Sequence, residues 1–257
     1  MLREDVPTVQ PPPEAPLRYR ARLLLRRCRE LIGDNPAFLP VVLACTPEGR
    51  TRAITRDTDV VVEGFPRCGN TFAAAALQLC APSPDFAIAS RVHVPAQVKK
   101  AVRLGIPTVL VIRDPAEAVA SLALAAPHVT LDHGLREFAH HYEQLLPYRD
   151  AVVVAPFDVV TTDFGSVVQE LNAKAGAAFR PFVHTDASVR AVFDAMEERN
   201  GAVHRGAIRV RYDTRPSADR TASKRSLLEQ LRSPEMRPLL DRAERVFAVY
   251  RDTAIRN

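Results

Sequence analysis

The segment Gly64-Phe65-Pro66-Arg67-Cys68-Gly69-Asn70-Thr71-Phe72 places a cation, two glycines and a hydroxyl side chain between the run Val60–Val62 and an alanine-rich stretch, Ala73–Leu77. A buried strand, a tight turn and a helix in that order build an anion site. N–H groups at the start of a helix converge on a negative group, and the helix dipole favours it there. Gly69 lets the main chain approach, Arg67 adds a fixed positive charge, and Thr71 offers a hydroxyl on the first helical turn. The expected ligand is a phosphate. On this segment alone, a plain connection whose glycine serves only the turn is an equal reading.

The loop resembles a Walker A motif with one informative departure. Gly64 and Gly69 keep the offset of G-x-x-x-x-G-K-[ST], but Asn70 stands where the lysine reaches the terminal phosphates. Such a loop is poorly suited to ATP chemistry yet still cradles a single 5′-phosphate. A second stretch adds to it. Thr108–Ile112 is the continuous β-branched run of a buried parallel strand, and it ends at Arg113-Asp114-Pro115. Asp114 suits a helix cap and Pro115 the first helical position. Arg113 leaves the carboxyl end of its strand, where open α/β sheets bind ligands. Ser121, two helical turns on, faces the same crevice. Arginine and serine together would hold a second phosphate, unless Arg113 and Asp114 form a surface pair and Ser121 merely packs.

These motifs together resemble the sulfotransferases that use 3′-phosphoadenosine 5′-phosphosulfate (PAPS). The family has a P-K-S-G-T-T-W loop, an arginine eight residues before a serine, and a K-T-H-L-P stretch between the two. Here the counterparts are Pro66–Phe72, Arg113 with Ser121, and Arg91-Val92-His93-Val94-Pro95. The likeness is good over roughly 58–121, looser to about 220, and absent from the first forty residues. It implies a three-layer, P-loop-like α/β fold around a central parallel sheet, and PAPS as co-substrate with no metal. Arg67 would meet the 5′-phosphate and the bridging oxygen. Cys68, Gly69, Asn70 and Thr71 would complete that cradle, and Phe72 would stack on adenine. Arg113 and Ser121 would grip the 3′-phosphate. His93 would be the general base on the acceptor hydroxyl, with Arg91 on the sulfonate.

Some residues depart from the family. Arginine and lysine reach differently, and a thiol is a weak donor, so Cys68 offers only its backbone N–H. The family's R-K-G segment is missing, with the loop Arg215–Arg220 as the nearest basic stretch. Phe157-Asp158-Val159-Val160 loosely matches Y-E-D-L, which puts Phe157 near the adenine. Sulfuryl transfer is an in-line displacement like phosphoryl transfer, so placement and charge stabilisation carry it. A histidine near its ordinary pKa of about 6.5 suffices as the base. An ATP-dependent small-molecule kinase and a nucleotide-binding module without catalysis are the rival readings. The acceptor, whether sugar, lipid, phenol or peptide tyrosine, is not specified by these motifs.

The chain of 257 residues is 47% apolar, enough for a large core. Its net charge of +5 comes almost wholly from arginine, and aromatic residues are only 6%. That balance suits a polyanionic small molecule better than nucleic acid. No apolar run approaches a membrane span, and cysteines 28, 45, 68 and 80 lack metal-ligand spacing and suit a reducing cytoplasm. Strands are expected over 58–63, 85–92, 107–112 and 151–155. Helices are expected over about 70–80, 95–104, 115–124, 134–147, 164–175, 187–198 and 235–252. Residues 1–16 read as a disordered tail, 17–57 as a helical extension and 58–257 as the sulfotransferase-like domain. In the extension, Leu24, Leu25, Cys28 and Leu31 share a face expected to pack on the domain, with a partner or an anionic membrane as the other readings. His128, His133, His140 and His141, with Glu137 and Glu143, read as a solvated helix face. A metal there is the weaker reading, since no clear third ligand follows.

Overall fold

The four β-branched runs form one parallel sheet. In the computed structural model, which describes residues 16–44, 52–203 and 218–255, they are β1 (Val60–Glu63), β2 (Ile88–Ser90), β3 (Thr108–Ile112) and β4 (Val153–Pro156), ordered β2-β1-β3-β4. Register is set by Val61 opposite Ala89 and Thr108, and by Val111 opposite Ala155. Every residue of β1, β3 and β4 is buried, because helices cover both faces.

Before the sheet come α1 (Pro16–Ile32) and α2 (Leu39–Ala44). The crossovers are α3 (Asn70–Cys80), α4 (Pro95–Arg103), and the pair α5 (Pro115–Ala125) and α6 (Leu131–Glu143). After β4 come α7 (Phe157–Thr162), α8 (Phe164–Ala175), α9 (Asp186–Val203), α10 (Ala218–Leu231) and α11 (Arg237–Thr253). Val60 and Val62 join the main core with α3, whereas Val61 packs with Ala89 and Ala101 of α4 on the opposite face. The result is the expected three-layer α/β architecture.

Three expectations are corrected. The strand expected over 85–92 is only Ile88–Ser90, because the chain then enters a left-handed turn at Arg91. The leucine face of α1 does not pack: Leu24, Leu25 and Leu31 are 62%, 65% and 80% exposed, and Cys28 is exposed. The polar side docks instead. Arg26 forks onto both Glu137 oxygens at 2.8 Å, Glu30 meets His133 at 2.9 Å, and Asp34 meets His140 at 2.7 Å. For the same reason α6 is no solvated face. His133 and His141 are buried, and Arg242 of α11 holds Glu143 from the other side. Residues 1–15 of the tail, Cys45 and Arg215 lie outside the described residues, Pro16 opens α1, and Arg220 falls in the first turn of α10.

Candidate functional site

The chain leaves β1 for β2 on one side and leaves β3 for β4 on the other. A crevice therefore opens between the carboxyl ends of β1 and β3, the position where parallel sheets take ligands. Both predicted phosphate motifs emerge there.

The loop after β1 is shaped by its own hydrogen bonds. Gly64 is pressed so closely on β3 that a Cβ would strike the Val111 carbonyl oxygen. Asn70, in place of the Walker lysine, staples the turn, its Nδ2 donating to the carbonyls of Gly64 at 3.3 Å and Phe65 at 2.9 Å. Its Oδ1 is buried with no partner among the described residues. Gly69 precedes α3 at φ 98°, and the N–H groups of the first turn have no carbonyl a turn behind them. Thr71 is partly exposed on that turn.

Arg113 binds the two motifs together. Its Nη1 donates to the Arg67 carbonyl at 2.9 Å and its Nη2 to Glu117 at 3.3 Å. Glu117 also takes Lys224 from α10, and the Arg113 guanidinium carbon lies 3.9 Å from the Phe157 ring centroid. Arg67 Nε donates to Ser121 Oγ at 3.1 Å. The two predicted phosphate motifs thus adjoin, Arg67 reaching the Ser121 hydroxyl and Arg113 the Arg67 carbonyl.

His93 stands on the other side of Gly64. Its Nδ1 lies 2.9 Å from the Gly64 carbonyl, which can only accept, so Nδ1 carries the proton and Nε2 keeps its lone pair. Burial lowers its pKa to about 3, with Arg29 and His141 adding to the effect against the Gly64 hydrogen bond. The expectation of an ordinary value near 6.5 is corrected: this imidazole is neutral at pH 7. Among the described residues, the non-glycine positions with left-handed backbone are Arg67 (φ 69°), Arg91 (φ 65°) and His93 (φ 57°). Each costs roughly 1–3 kcal/mol and persists only where its surroundings enforce it.

Two further placements differ from expectation. Phe72 is only 6% exposed, packed edge-on against Phe164 and Phe193 and stacked with His184, so it presents no free face to an adenine. Phe157 sits at the crevice instead, against Arg113 and within 3.1 Å of where a Gly69 Cβ would be. Cys68 is buried, and its N–H closes the turn on the Phe65 carbonyl at 3.3 Å rather than facing the crevice. Its Sγ accepts from Tyr142 at 3.5 Å, and burial pushes the thiol up to about 12.

The sequence reading also passes over Glu63 and Arg29. Glu63 ends β1 with no exposed surface, and Arg29 of α1 donates to the Val92 carbonyl beside His93. A carboxylate inside a wholly buried parallel strand was the available signal for the first. The second is a tertiary contact with no local signature. Away from the crevice, the ligand atoms of Glu30, His133 and Glu137 lie within 4.8 Å of one another, but the Arg26 fork already occupies both Glu137 oxygens. That cluster is better described as the clamp holding α1 to α6.

No family model and no curated protein matches this chain. Among solved structures it is similar to mouse sulfotransferase SULT7A1 complexed with PAP, at 12% identity and a TM-score of 0.44, over 79% of this chain and 91% of that one. No helix among the described residues is long and apolar enough to cross a membrane.

Proposed function

We propose that this chain is a sulfotransferase moving a sulfuryl group from PAPS to a hydroxyl acceptor. One observation supports it above the others: the non-glycine described residues held in left-handed backbone are Arg67, Arg91 and His93, the three to which the sequence resemblance gives catalytic roles. Strain of that kind gathers where chemistry requires a fixed aim.

In this reading the helix α3 N-terminus and Arg67 bind the 5′-phosphate, while Arg113 and Ser121 bind the 3′-phosphate. Arg67 leaves the Ser121 hydroxyl as the phosphates enter. The acceptor hydroxyl gives its proton to His93 Nε2 as its oxygen bonds to sulfur. The bond from sulfur to the bridging oxygen breaks, and the electron pair stays on that oxygen, facing Arg67 and the first amides of α3. The imidazolium so formed is countered by Glu63, whose Oε2 lies 3.8 Å from Nδ1, and by the anionic nucleotide. Phe157 takes the adenine contact that Phe72 is too buried to make. Asn70 in place of a lysine argues against the kinase reading.

Titration calorimetry with adenosine 3′,5′-bisphosphate, set against ADP with magnesium, tests this. Tighter binding of the bisphosphate without metal is expected, and a preference for magnesium ADP would end the proposal.

A further inference from the structure

Glu63 directs most of its hydrogen bonds at a single turn. As the last residue of β1 it lies on the α4 face of the sheet, with both oxygens turned to the turn after β2. Oε1 accepts from the Val92 N–H at 2.6 Å and from Gln97 Nε2 at 2.9 Å. Oε2 accepts from the His93 N–H at 3.0 Å. Successive N–H groups in a turn of alternating hand form a concavity for acceptor oxygens, and here the chain's own Glu63 carboxyl group fills it. The Val92 peptide is gripped on its other side as well, since Arg29 donates to its carbonyl. The His93 ring lies against the Gly64 carbonyl.

We propose that Glu63 is the positioning residue of His93: by holding the N–H groups of Val92 and His93 it imposes the left-handed turn that fixes the imidazole against the Gly64 carbonyl as the Nδ1–H tautomer. Arg29 completes the grip from α1. The importance of this placement for catalysis rests on the sulfotransferase reading, whereas the positioning itself does not.

The test is nitrogen NMR of the full chain labelled at histidine, with the His93 signals assigned by their loss in His93→Gln. In the wild type, His93 is expected to show a protonated Nδ1 and to keep it from about pH 5 to 8. In Glu63→Leu the turn relaxes, so the ring should shift toward the Nε2–H tautomer and titrate near the unperturbed value of about 6.5. A folded Glu63→Leu chain with unchanged His93 signals would overturn the proposal. If that variant does not fold, Glu63→Gln decides, because its amide can accept from only one of the two N–H groups. Hydrogen exchange at Val92 or His93 should then rise by about tenfold or more, and wild-type exchange with wild-type His93 signals would be equally fatal. A shifted tautomer together with failed bisphosphate binding would leave the positioning intact and remove only the function.

Discussion

At the residue scale, the neutral His93 and the cationic pair Arg67–Arg113 divide the proposed work between proton acceptance and charge. His93 meets the Gly64 carbonyl, not either arginine, so its removal leaves the phosphate contacts in place. We expect His93→Ala to bind adenosine 3′,5′-bisphosphate as the wild type does and to lose about 10²–10⁴-fold in sulfuryl transfer. Undiminished turnover across an acceptor panel would remove His93 from the mechanism. Arg113 should behave oppositely. Charge-assisted hydrogen bonds are worth about 1.5–3 kcal/mol, so Arg113→Ala should weaken the bisphosphate by roughly 10–100-fold in calorimetry. Binding of 5′-AMP should fall much less. Equal losses for both ligands would mean that Arg113 serves the loop, through the Arg67 carbonyl, rather than a 3′-phosphate.

At the element scale, the site depends on how tightly β1 and its loop are pressed against β3. Gly64 has no room for a Cβ beside the Val111 carbonyl, a backbone atom that cannot swing aside. Gly64→Ala should therefore lower unfolding stability by about 3 kcal/mol in denaturant titration, near the top of the range for overpacking. A loss under about 1 kcal/mol would show that the strands separate easily. The α1 clamp is a milder case. Arg26 and Glu137 are 18% and 11% exposed at their side chains, so Arg26→Ala should cost about 2 kcal/mol and speed amide exchange in α1 first.

These elements also show what a sequence can reveal. The strands and crossover helices were legible because their signals are local: β-branched runs for β1, β3 and β4, and the Asp114-Pro115 cap for α5, where Asp114 does accept from the Glu117 N–H at 3.0 Å. The same locality puts Ser121 two turns along α5, where Arg67 Nε rather than Arg113 reaches its hydroxyl. What escaped was decided between distant residues. The docking side of α1 is chosen by Glu137 and His133, and the turn at Arg91–His93 by Glu63, neither of which leaves a periodic trace. Helix α10 carries charged residues around its circumference, so it offers no stripe to detect.

At the scale of the whole molecule, buried titratable groups set how stability responds to pH. Burial lowers His93 and His141 to about 3, whereas both take protons near 6.5 once unfolded. Their contribution is full above about 6.5 and is lost as pH falls toward 3. Glu63 runs the other way: burial raises it from 4.5 to about 7, so its contribution is full below 4.5 and is lost as pH rises through 7. Two histidines outweigh one carboxyl between those limits, and the chain should be easier to unfold at pH 5 than at pH 7. His141→Phe, which suits a site lined by Phe65 and Tyr142, should shrink that difference. A difference unchanged in that variant would move the acid sensitivity to other groups.

The margins of the sheet have a consequence of their own. One edge is β2, only three residues long, and at the other the Ile255 N–H bonds the β4 carbonyl of Val154 at 3.2 Å. Among the described residues, neither border offers a long ladder of vacant donors and acceptors on which another copy could extend the sheet. In a polypeptide this rich in valine, the brevity of one rim and the Ile255 contact on the other both work against self-templated stacking.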